Sequence, residues 1–308
     1  MSSQSIVVIG AGIVGVSTAV VLQREGHRVT LIDRDQPGAG ASFGNAGAIV
    51  SNASAPTALP GIAFDVWRML GRPLAPLTIR WSYLPRIAPW LLRFLLQSSR
   101  LRVAANAQNL FALTSLASQH WQSLTAGSNL SALLRQVGWL KVYETEAAFE
   151  RTAHARLLMD ELGVPYELLQ AADIQGLEPE LAPIFPRGIY QADCWQVINP
   201  GRLLELMVEQ FVGSGGVFRK FTAQHLRCDS ATVQVENGHE GLTADRAVIA
   251  AGAGSAPLAA ALGDPVPLDA ERGYHLMLPA ATGDMLGRPV LNGNRSFVLS
   301  PMATGMRL

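Results

Sequence analysis

The first part of the chain carries a long, mainly apolar run that contains three glycines. Residues 6–9 are a short β-branched run, typical of a buried parallel strand. The segment GAGIVG (residues 10–15) follows, and after it a helix is predicted that Gly26 ends. Residues 29–32 are predicted to form a second parallel strand that ends at Asp33. The pattern indicates a β-α-β unit with a glycine-rich first turn.

Two other interpretations of this run fit less well. A signal peptide carries positive charge ahead of its apolar core, and residues 1–5 have none. A membrane-spanning helix needs about 20 apolar residues. Residues 6–22 instead contain three glycines and the polar pair Ser17-Thr18.

Each glycine of the turn has a separate physical reason. Gly10 permits a tight exit from the strand, Gly12 lets backbone N–H groups approach a pyrophosphate, and Gly15 lets the helix pack closely on the strand. The helix N-terminus directs its unpaired N–H groups and its positive dipole end at the same phosphates. Asp33 is placed to accept hydrogen bonds from ribose hydroxyls. The unit therefore predicts dinucleotide binding.

The segment after the second strand is dense in small residues. Residues 37–49 read PGAGASFGNAGAI, and a nicotinamide-binding domain would normally continue into another helix or strand here. Ser42 and Asn45 offer side-chain hydrogen bonds, while Gly44 and Gly47 remove bulk. The segment therefore favours a long cofactor, whose second part it would contact, over NAD. A surface loop without a ligand remains the alternative.

A second strand-to-glycine turn lies far downstream. Residues 247–251 are predicted to form a buried strand that leads into GAGS (residues 252–255). Ahead of it, Asn199-Pro200 is typical of a helix start, and residues 203–211 carry an apolar face. The spacing predicts one nucleotide-binding domain, residues 1–55 with 191–262, interrupted by an insertion.

The insertion, residues 56–190, joins residues 263–308 in the predicted second domain. Its pattern predicts helices over 101–124 and 147–162, and strands over 139–143, 166–169 and 188–192. These elements indicate a mixed sheet with α+β character. Residues 87–96 are apolar but too short to span a bilayer. With Arg86, Arg93 and Arg100 nearby, two interpretations stay open, peripheral contact with an anionic membrane or packing on the chain's own domain.

Composition narrows the class of protein. Of the 308 residues, 49% are hydrophobic and 16% charged, with 24 Lys and Arg against 24 Asp and Glu. This balance leaves no electrostatic footprint for nucleic acid, which we exclude as a partner. Cys194 and Cys228 are both expected to be buried and apolar in character, as in a reducing compartment. The histidines show no metal-ligand spacing, so we expect a cytoplasmic globular enzyme without a metal site.

At this point several segments together resemble the D-amino-acid oxidase superfamily of FAD-dependent oxidoreductases. The resemblance is greatest to its bacterial D-amino-acid dehydrogenases, with glycine oxidase more distant. It spreads along the whole chain. The segments that carry it are IVVIGAGIVGV (6–16), VTLIDRD (29–35), GASFGNAGAI (40–49), GWLKVYET (138–145), ELGVPYELL (161–169), LEPEL (177–181), VIAAGAGS (248–255) and ERGYHLML (271–278).

The resemblance implies FAD as cofactor, an α/β fold with a Rossmann-like FAD-binding domain of the glutathione-reductase type, and a second domain that holds an amino-acid substrate. On the substrate side the candidates are Arg272, Tyr274 and His275. A structural role is the stronger interpretation for His275, and a local ion pair with Glu271 or another acid is the alternative for Arg272. The residues expected to contact the cofactor are Gly10, Gly12, Ile13, Val14, Gly15, Asp33, Arg34, Ser42, Asn45, Ala46, Gly47, Ala223, Ala251 and Gly252.

The activity implied is oxidation of the Cα–N bond of a D-amino acid by hydride transfer to flavin, which gives an imino acid and then a 2-oxo acid and ammonia. A quinone or another electron-transfer group is the implied acceptor, reached in the cytoplasm or at the inner membrane. Oxidation of glycine, sarcosine or hydroxyproline is an alternative.

The family pattern continues beyond Leu308, with an Arg-Pro-x-Thr-Pro-Asp motif and a glycine-rich loop over the flavin. Residues 296–300 are predicted to be a strand, residues 301–305 a turn, and residues 306–308 the start of a returning strand. We therefore expect that this chain by itself binds FAD weakly or not at all. An inactive fragment, or one half of a split enzyme, is the corresponding alternative.

Overall fold

The computed structural model describes residues 2–51, 55–61, 81–229, 231–279 and 286–308. The strands are β1 (Ser5–Ile9), β2 (Arg28–Asp33), β3 (Ala48–Ile49), β4 (Leu134–Gln136), β5 (Trp139–Tyr143), β6 (Glu167–Gln170), β7 (Arg187–Gln191), β8 (Trp195–Val197), β9 (Val217–Lys220), β10 (His225–Cys228), β11 (Val233–Glu236), β12 (Gly241–Ala244), β13 (Arg246–Ile249), β14 (Met277–Pro279), β15 (Val290–Asn292), β16 (Phe297–Met302) and β17 (Gly305–Arg307). The α-helices are α1 (Ile13–Arg24), α2 (Leu84–Gln97), α3 (Arg100–Thr114), α4 (Ala117–Thr125), α5 (Glu146–Glu150), α6 (Ala153–Glu161), α7 (Ala171–Leu177), α8 (Pro200–Gly213) and α9 (Ser255–Ala261).

The chain divides into two compact units. The first contains Met1–Gly47, Gln122–Leu134 and Val197–Leu276, and the second contains Ala48–Trp121, Arg135–Gln196 and Met277–Leu308. These limits differ from the predicted domains mainly at residues 122–134 and 263–276, which belong to the first unit. The division into an FAD-binding and a substrate domain at the predicted limits stays a prediction.

A parallel sheet in the order β13-β1-β2-β9 forms the centre of the first unit. Its central strand β1 is almost entirely buried and apolar, as the unbroken run of residues 6–9 predicted. The strands β10, β11 and β12 form a separate antiparallel sheet. One apolar cluster joins the two sheets, with Val7, Ile9 and Ile32 from the first and Leu226 and Val235 from the second.

Two polar contacts fix the ends of elements in the first unit. The Asn199 side chain accepts a hydrogen bond from the Arg202 amide at 3.0 Å, which caps α8 as predicted. The Asp245 carboxylate accepts hydrogen bonds from the amide and the hydroxyl of Ser5, at 2.7 and 2.8 Å, where β1 begins. The Ser5 amide, and then its hydroxyl, lower the pKa of the Asp245 carboxyl below its ordinary value.

The second unit is built on a seven-stranded mixed sheet in the order β14-β17-β16-β15-β5-β7-β6. Only the pair β15–β5 is parallel among these described strands. One face is covered by an apolar cluster that includes Leu140, Val142, Ile174 and Phe185. This arrangement agrees with the expected mixed sheet, and the α/β class of the chain is confirmed.

A buried ion pair crosses the interior of the second unit. Arg288 Nε donates to Glu178 Oε1 at 2.5 Å, and the Gly287 amide donates to the other carboxylate oxygen at 2.9 Å. The Glu178 side chain is 3% exposed. Arg288 also donates to the Tyr190 hydroxyl at 3.0 Å and to the carbonyl of Val137 at 3.1 Å. The network therefore ties Glu178, the residue after α7, to β7 and to the segment before β5.

Several sequence predictions need correction. The single helix expected over 101–124 is two helices, α3 and α4, separated at Ser115. The turn expected over 301–305 is shorter, because Pro301 and Met302 lie in β16 and pair with β17. Cys194 is buried, and burial raises the pKa of its thiol to about 11, but Cys228 is exposed rather than buried.

Candidate functional site

A cavity of about 900 Å³ opens in the first unit where β1, β2 and β13 end. The carboxyl ends of parallel strands are the usual ligand-binding edge of an open α/β sheet. Strand ends, the loop after β2 and the segments after β9 and β13 all contribute to its wall. Predicted cofactor residues on this wall are Gly10, Gly12, Ile13, Val14, Asp33, Arg34, Ser42, Asn45, Ala223, Ala251 and Gly252.

The glycines of the first turn are required by close backbone approaches. Gly10 has φ +110°, and a Cβ there would meet the carbonyl of Ala250, with the Cα of Ala251 at 2.8 Å. A Cβ on Gly15 would overlap the carbonyl oxygen of Gly10, so only glycine lets α1 start so near β1. This geometry agrees with the tight turn predicted for Gly10 and with the close packing predicted for Gly15. Gly15 itself does not line the cavity.

The N-terminus of α1 faces the cavity through Gly12, Ile13 and Val14. The first turn of this helix carries no acidic side chain, so its positive dipole end is not neutralised from within. The Ser42 hydroxyl accepts a hydrogen bond from the Ile13 amide at 2.9 Å. A Cβ on Gly12 would stand 3.2 Å from this same hydroxyl oxygen, so the glycine keeps a space open between the helix and Ser42. A hydroxyl and a helix N-terminus around an open space suit a phosphate group.

Asp33 stands at the end of β2, on the opposite side of the glycine turn. One carboxylate oxygen accepts from the Ala11 amide at 2.7 Å and the other from the Asp35 amide at 2.9 Å. These two bonds fix the carboxylate at the mouth of the cavity. An ionised carboxylate has about four acceptor positions. Two backbone bonds therefore leave acceptor capacity for hydroxyl groups of a ligand.

The loop after β2 is organised by one amide side chain. Asn45 Nδ2 donates to the Ser42 carbonyl at 2.9 Å, and Asn45 Oδ1 accepts from the Gly47 amide at 2.8 Å. The side chain thus bridges the loop internally and holds Ser42 in place beside α1. Ala46 and Gly47, also predicted to contact the cofactor, lie in this loop but do not line the cavity.

The far wall of the cavity includes residues that the sequence did not identify. The segment after β9 contributes Phe221, Thr222 and Gln224 beside the predicted Ala223. The Gln224 amide donates to the Glu236 carbonyl at 2.9 Å, which fixes this segment against β11. The segment after β13 adds Ser255, which follows the lining residues Gly252 and Gly254. Further lining residues are Ile9, Ile32, Asp35, Gly40, Ala41, Ile249, Ala250, Gly254, Pro257, Leu258 and Leu268.

The substrate-side candidates lie outside this cavity. Arg272, Tyr274 and His275 belong to an exposed segment without helix or strand, since β14 begins only at Met277. Tyr274 is 87% exposed. His275 packs against the loop after β2, where a Cβ on Gly44 would be 2.6 Å from its ring. This position agrees with a packing role for His275, and the substrate roles of all three residues stay predictions.

Comparison with known proteins identifies the family of the chain. The family described as "DAO: FAD dependent oxidoreductase" matches residues 5–308. The chain belongs to this family. Membership confirms the predicted resemblance, the fold class and FAD as the cofactor.

Two curated relatives are 33–36% identical to the chain over the aligned residues. The D-amino-acid oxidase of Bradyrhizobium diazoefficiens is 36% identical over 279 residues, which cover 89% of this chain and 66% of that protein. The D-amino acid dehydrogenase 2 of Ralstonia nicotianae is 33% identical over 291 residues, 90% of this chain and 67% of that protein. The chain thus spans about two thirds of the length of these relatives.

Solved structures support the same fold at lower identity. Glycine oxidase from Geobacillus kaustophilus has a TM-score of 0.65 at 18% identity, and the match covers 100% of this chain and 70% of that one. The L-α-glycerophosphate oxidase of Mycoplasma pneumoniae, solved with FAD bound, has a TM-score of 0.60 at 16% identity over the same shares.

The described residues also bear on membrane spanning and on metal binding. Among the helices that the structure describes, none has the length and apolar character that a bilayer crossing requires. The described His, Cys, Asp and Glu side chains form no group of three or more that could hold a metal ion.

Proposed function

We propose that the cavity of the first unit holds the ADP half of FAD, and that the protein uses FAD to oxidise the Cα–N bond of D-amino acids. The observation that carries this proposal is the convergence on one cavity of the α1 N-terminus, the Gly12 space beside Ser42, and the Asp33 carboxylate. In a Rossmann-like domain the helix N-terminus and the space beside Ser42 suit a pyrophosphate, and the carboxylate suits a ribose.

The residues have separate tasks in this proposal. Backbone N–H groups at the start of α1 and the Ser42 hydroxyl hold the pyrophosphate, and Asp33 accepts from the adenosine ribose. The segment around Ala223 forms the wall beside the adenine. Asn45 acts indirectly, because its hydrogen bond to the Ser42 carbonyl keeps Ser42 beside Ile13. Arg34, whose side chain is 76% exposed, also lines the cavity next to Asp33.

FAD, when bound, supplies a flavin ring that accepts a hydride from the substrate Cα, and water hydrolyses the resulting imino acid to a 2-oxo acid and ammonia. The protein must then bind the substrate carboxylate and exclude water. Arg272 is the proposed carboxylate-binding residue and Tyr274 its neighbour on the substrate side. A D-amino acid is the proposed substrate because both curated relatives, at 33–36% identity, carry that substrate in their names.

The electron acceptor is the finer part of the proposal. One relative is named an oxidase and the other a dehydrogenase. On the precedent of the relative named a dehydrogenase, we propose a quinone or a similar electron carrier as the acceptor. Oxygen consumption and reduction of a quinone analogue, measured on the same preparation with the same D-amino acid, separate the two. Turnover with oxygen alone would contradict the quinone.

The test of the reaction is an anaerobic visible spectrum of the chain with saturating FAD. We expect D-alanine to bleach the flavin band, and L-alanine and glycine to leave it unchanged. Bleaching by L-alanine or glycine but not by D-amino acids would overturn the proposed substrate. In Arg272→Met the D-alanine concentration for half-maximal bleaching rate should rise about tenfold, the loss of one charged hydrogen bond. Arg227→Met, an exposed arginine on β10, is the matched control and should behave as wild type.

A further inference from the structure

The helix α2 in the second unit presents an apolar surface to solvent. None of its residues is buried. Its half-buried positions, Leu84, Ile87, Leu91 and Phe94, recur at helical spacing and mark the side that faces its own unit. Outside this side, the exposed fractions are 61% for Leu92, 38% for Leu95 and 55% for Leu96. A soluble helix normally places polar side chains at such positions, so this surface calls for a partner.

The charges around α2 are of one sign. Residues 66–143 contain no aspartate or glutamate, although the whole chain carries 24 acidic residues. In the described part of this stretch that belongs to the second unit, Arg86 and Arg93 on α2 and Arg100 and Arg102 on α3 are all exposed. On α2, Arg86 and Arg93 are seven residues apart and share one side of the helix. A partner for this surface must therefore be apolar and anionic together.

Exposed aromatic side chains lie on α2 and directly before it. Trp81 is 69% exposed, Tyr83 47% and Trp90 49%. Trp90 stacks on Phe94 with ring centroids 5.2 Å apart, and the Arg86 guanidinium lies 5.8 Å from the Tyr83 ring centre. Tryptophan and tyrosine are enriched where a protein meets the headgroup level of a bilayer, since each ring has an apolar body and a polar edge.

We propose that α2 lies in the surface of an anionic lipid bilayer, with Leu92, Leu95 and Leu96 among the acyl chains and Arg86 and Arg93 at the lipid phosphates. The helix has 14 residues and is about 21 Å long, too short to cross a hydrocarbon core of about 30 Å. An in-plane helix with arginines beside its apolar side is the geometry that interfacial helices adopt. This proposal does not depend on the proposed function, because it needs neither FAD nor a substrate.

A lipid surface fits these charges better than a second copy of the chain. Two copies joined through α2 would bring their arginines together with no acidic residue in this stretch to compensate. Like charges at a contact oppose association. A bilayer that contains phosphatidylglycerol instead supplies one negative charge per anionic headgroup, and arginine side chains are suited to phosphate oxygens.

The test is flotation of the full chain with lipid vesicles, without FAD. We expect the protein to float with vesicles of phosphatidylcholine and phosphatidylglycerol at three to one, and about tenfold more weakly with phosphatidylcholine alone. The double variant Leu92→Glu/Leu96→Glu should lose flotation. Arg86→Gln/Arg93→Gln should bind anionic vesicles about tenfold more weakly. Leu157→Glu, a 57% exposed leucine on α6, is the matched control and should float as wild type.

Three results would overturn the proposal. These are no flotation of the wild-type chain with anionic vesicles, equal flotation with neutral and anionic vesicles, and flotation of Leu92→Glu/Leu96→Glu at the wild-type level. Sedimentation of the chain without lipid tests whether two copies associate through α2. A dimer that the leucine double variant dissociates, combined with no flotation, would assign the surface to self-association instead. Far-UV circular dichroism and thermal unfolding of each variant show that it is folded.

Discussion

The two units of the chain differ in the groups that hold their main carboxylate side chain. In the first unit the candidate site is made mainly of backbone and small residues. Its carboxylate, Asp33, accepts from the amide of Ala11 in the glycine turn and from the amide of Asp35, two residues further along the chain. In the second unit the buried carboxylate Glu178 is held by Arg288, a residue far away in the sequence. The first arrangement leaves an open space for a ligand, whereas the second fills the interior and stabilises the fold.

The difference has a physical cause. A glycine turn at a helix N-terminus exposes N–H groups without a covering side chain, so it can bind a phosphate at little cost to packing. A buried ion pair gains its energy only when both partners and their hydrogen bonds are present. Substitutions at the glycine turn or at Asp33 should therefore affect ligand binding, and substitutions of the ion pair should affect stability alone.

The largest effect is expected for Glu178→Ala. Removal of this carboxylate leaves the Arg288 cation largely buried without its partner, which costs about 3–5 kcal/mol in similar cases. We expect a large drop in the urea midpoint of unfolding, with ADP affinity unchanged wherever the variant is still folded.

Glu180→Ala is the matched control, since Glu180 is exposed two residues further on. Its free energy of unfolding should stay within about 0.5 kcal/mol of wild type. Equal stability of the two variants would show that the buried pair does not stabilise the second unit.

The next largest effect is expected for Gly15→Ala. The new Cβ would overlap the Gly10 carbonyl oxygen, so α1 must move away from β1. Overpacking of this kind costs about 2 kcal/mol, and we expect weaker ADP binding as well because the helix N-terminus is displaced. Chemical denaturation and calorimetric titration measure the two effects.

Gly213→Ala gives the contrast within the same unit. Gly213 ends α8, and a Cβ there would meet nothing within 4 Å. Alanine should stabilise this helix by up to about 1 kcal/mol. If Gly15→Ala were as stable as Gly213→Ala, the close approach of α1 to β1 would not be needed.

A smaller and pH-dependent effect is expected at Asp245. Hydrogen bonds from Ser5 lower the pKa of this carboxyl below its ordinary value of 3.8. A lowered folded-state pKa gives stability that is present above the unfolded-state pKa and is lost as the pH falls through the folded-state value. Asp245→Asn should therefore unfold at lower urea than wild type at pH 7, and the difference should shrink in acid. Asp264→Asn, at an exposed position, is the control. A difference that does not change between pH 7 and pH 2 would contradict the assignment.

The sequence predicted the first unit better than the second, and the reason is physical. The glycine turn, Asp33 and the loop after β2 are continuous in the chain, so their spacing alone fixes their geometry. The far wall near Phe221 and Gln224 was mostly missed, because only the tertiary position of the segment after β9 brings it to the cavity. Ala223 was found through family resemblance rather than through a local pattern.

In the second unit the strand over 139–143 was predicted at its exact limits, since its apolar run is short and clearly bounded. The Glu178–Arg288 pair had no signal, because hydrogen bonds between distant parts of the chain leave no periodicity in the sequence. The helix over 101–124 was wrong for a related reason. Its break near Ser115 contains neither proline nor glycine, the residues that usually mark a helix end.

The central claim is that the cavity of the first unit holds the ADP half of FAD, and calorimetric titration with ADP and FAD tests it most directly. We expect ADP to bind and FAD, even if this chain by itself binds it weakly, to compete with ADP. Asp33→Asn should weaken both about tenfold, since one charged acceptor is lost. Asp229→Asn, where the carboxylate also accepts from two amides but outside the cavity, should bind like wild type. Simultaneous binding of ADP and FAD, or wild-type affinity in Asp33→Asn, would contradict the account.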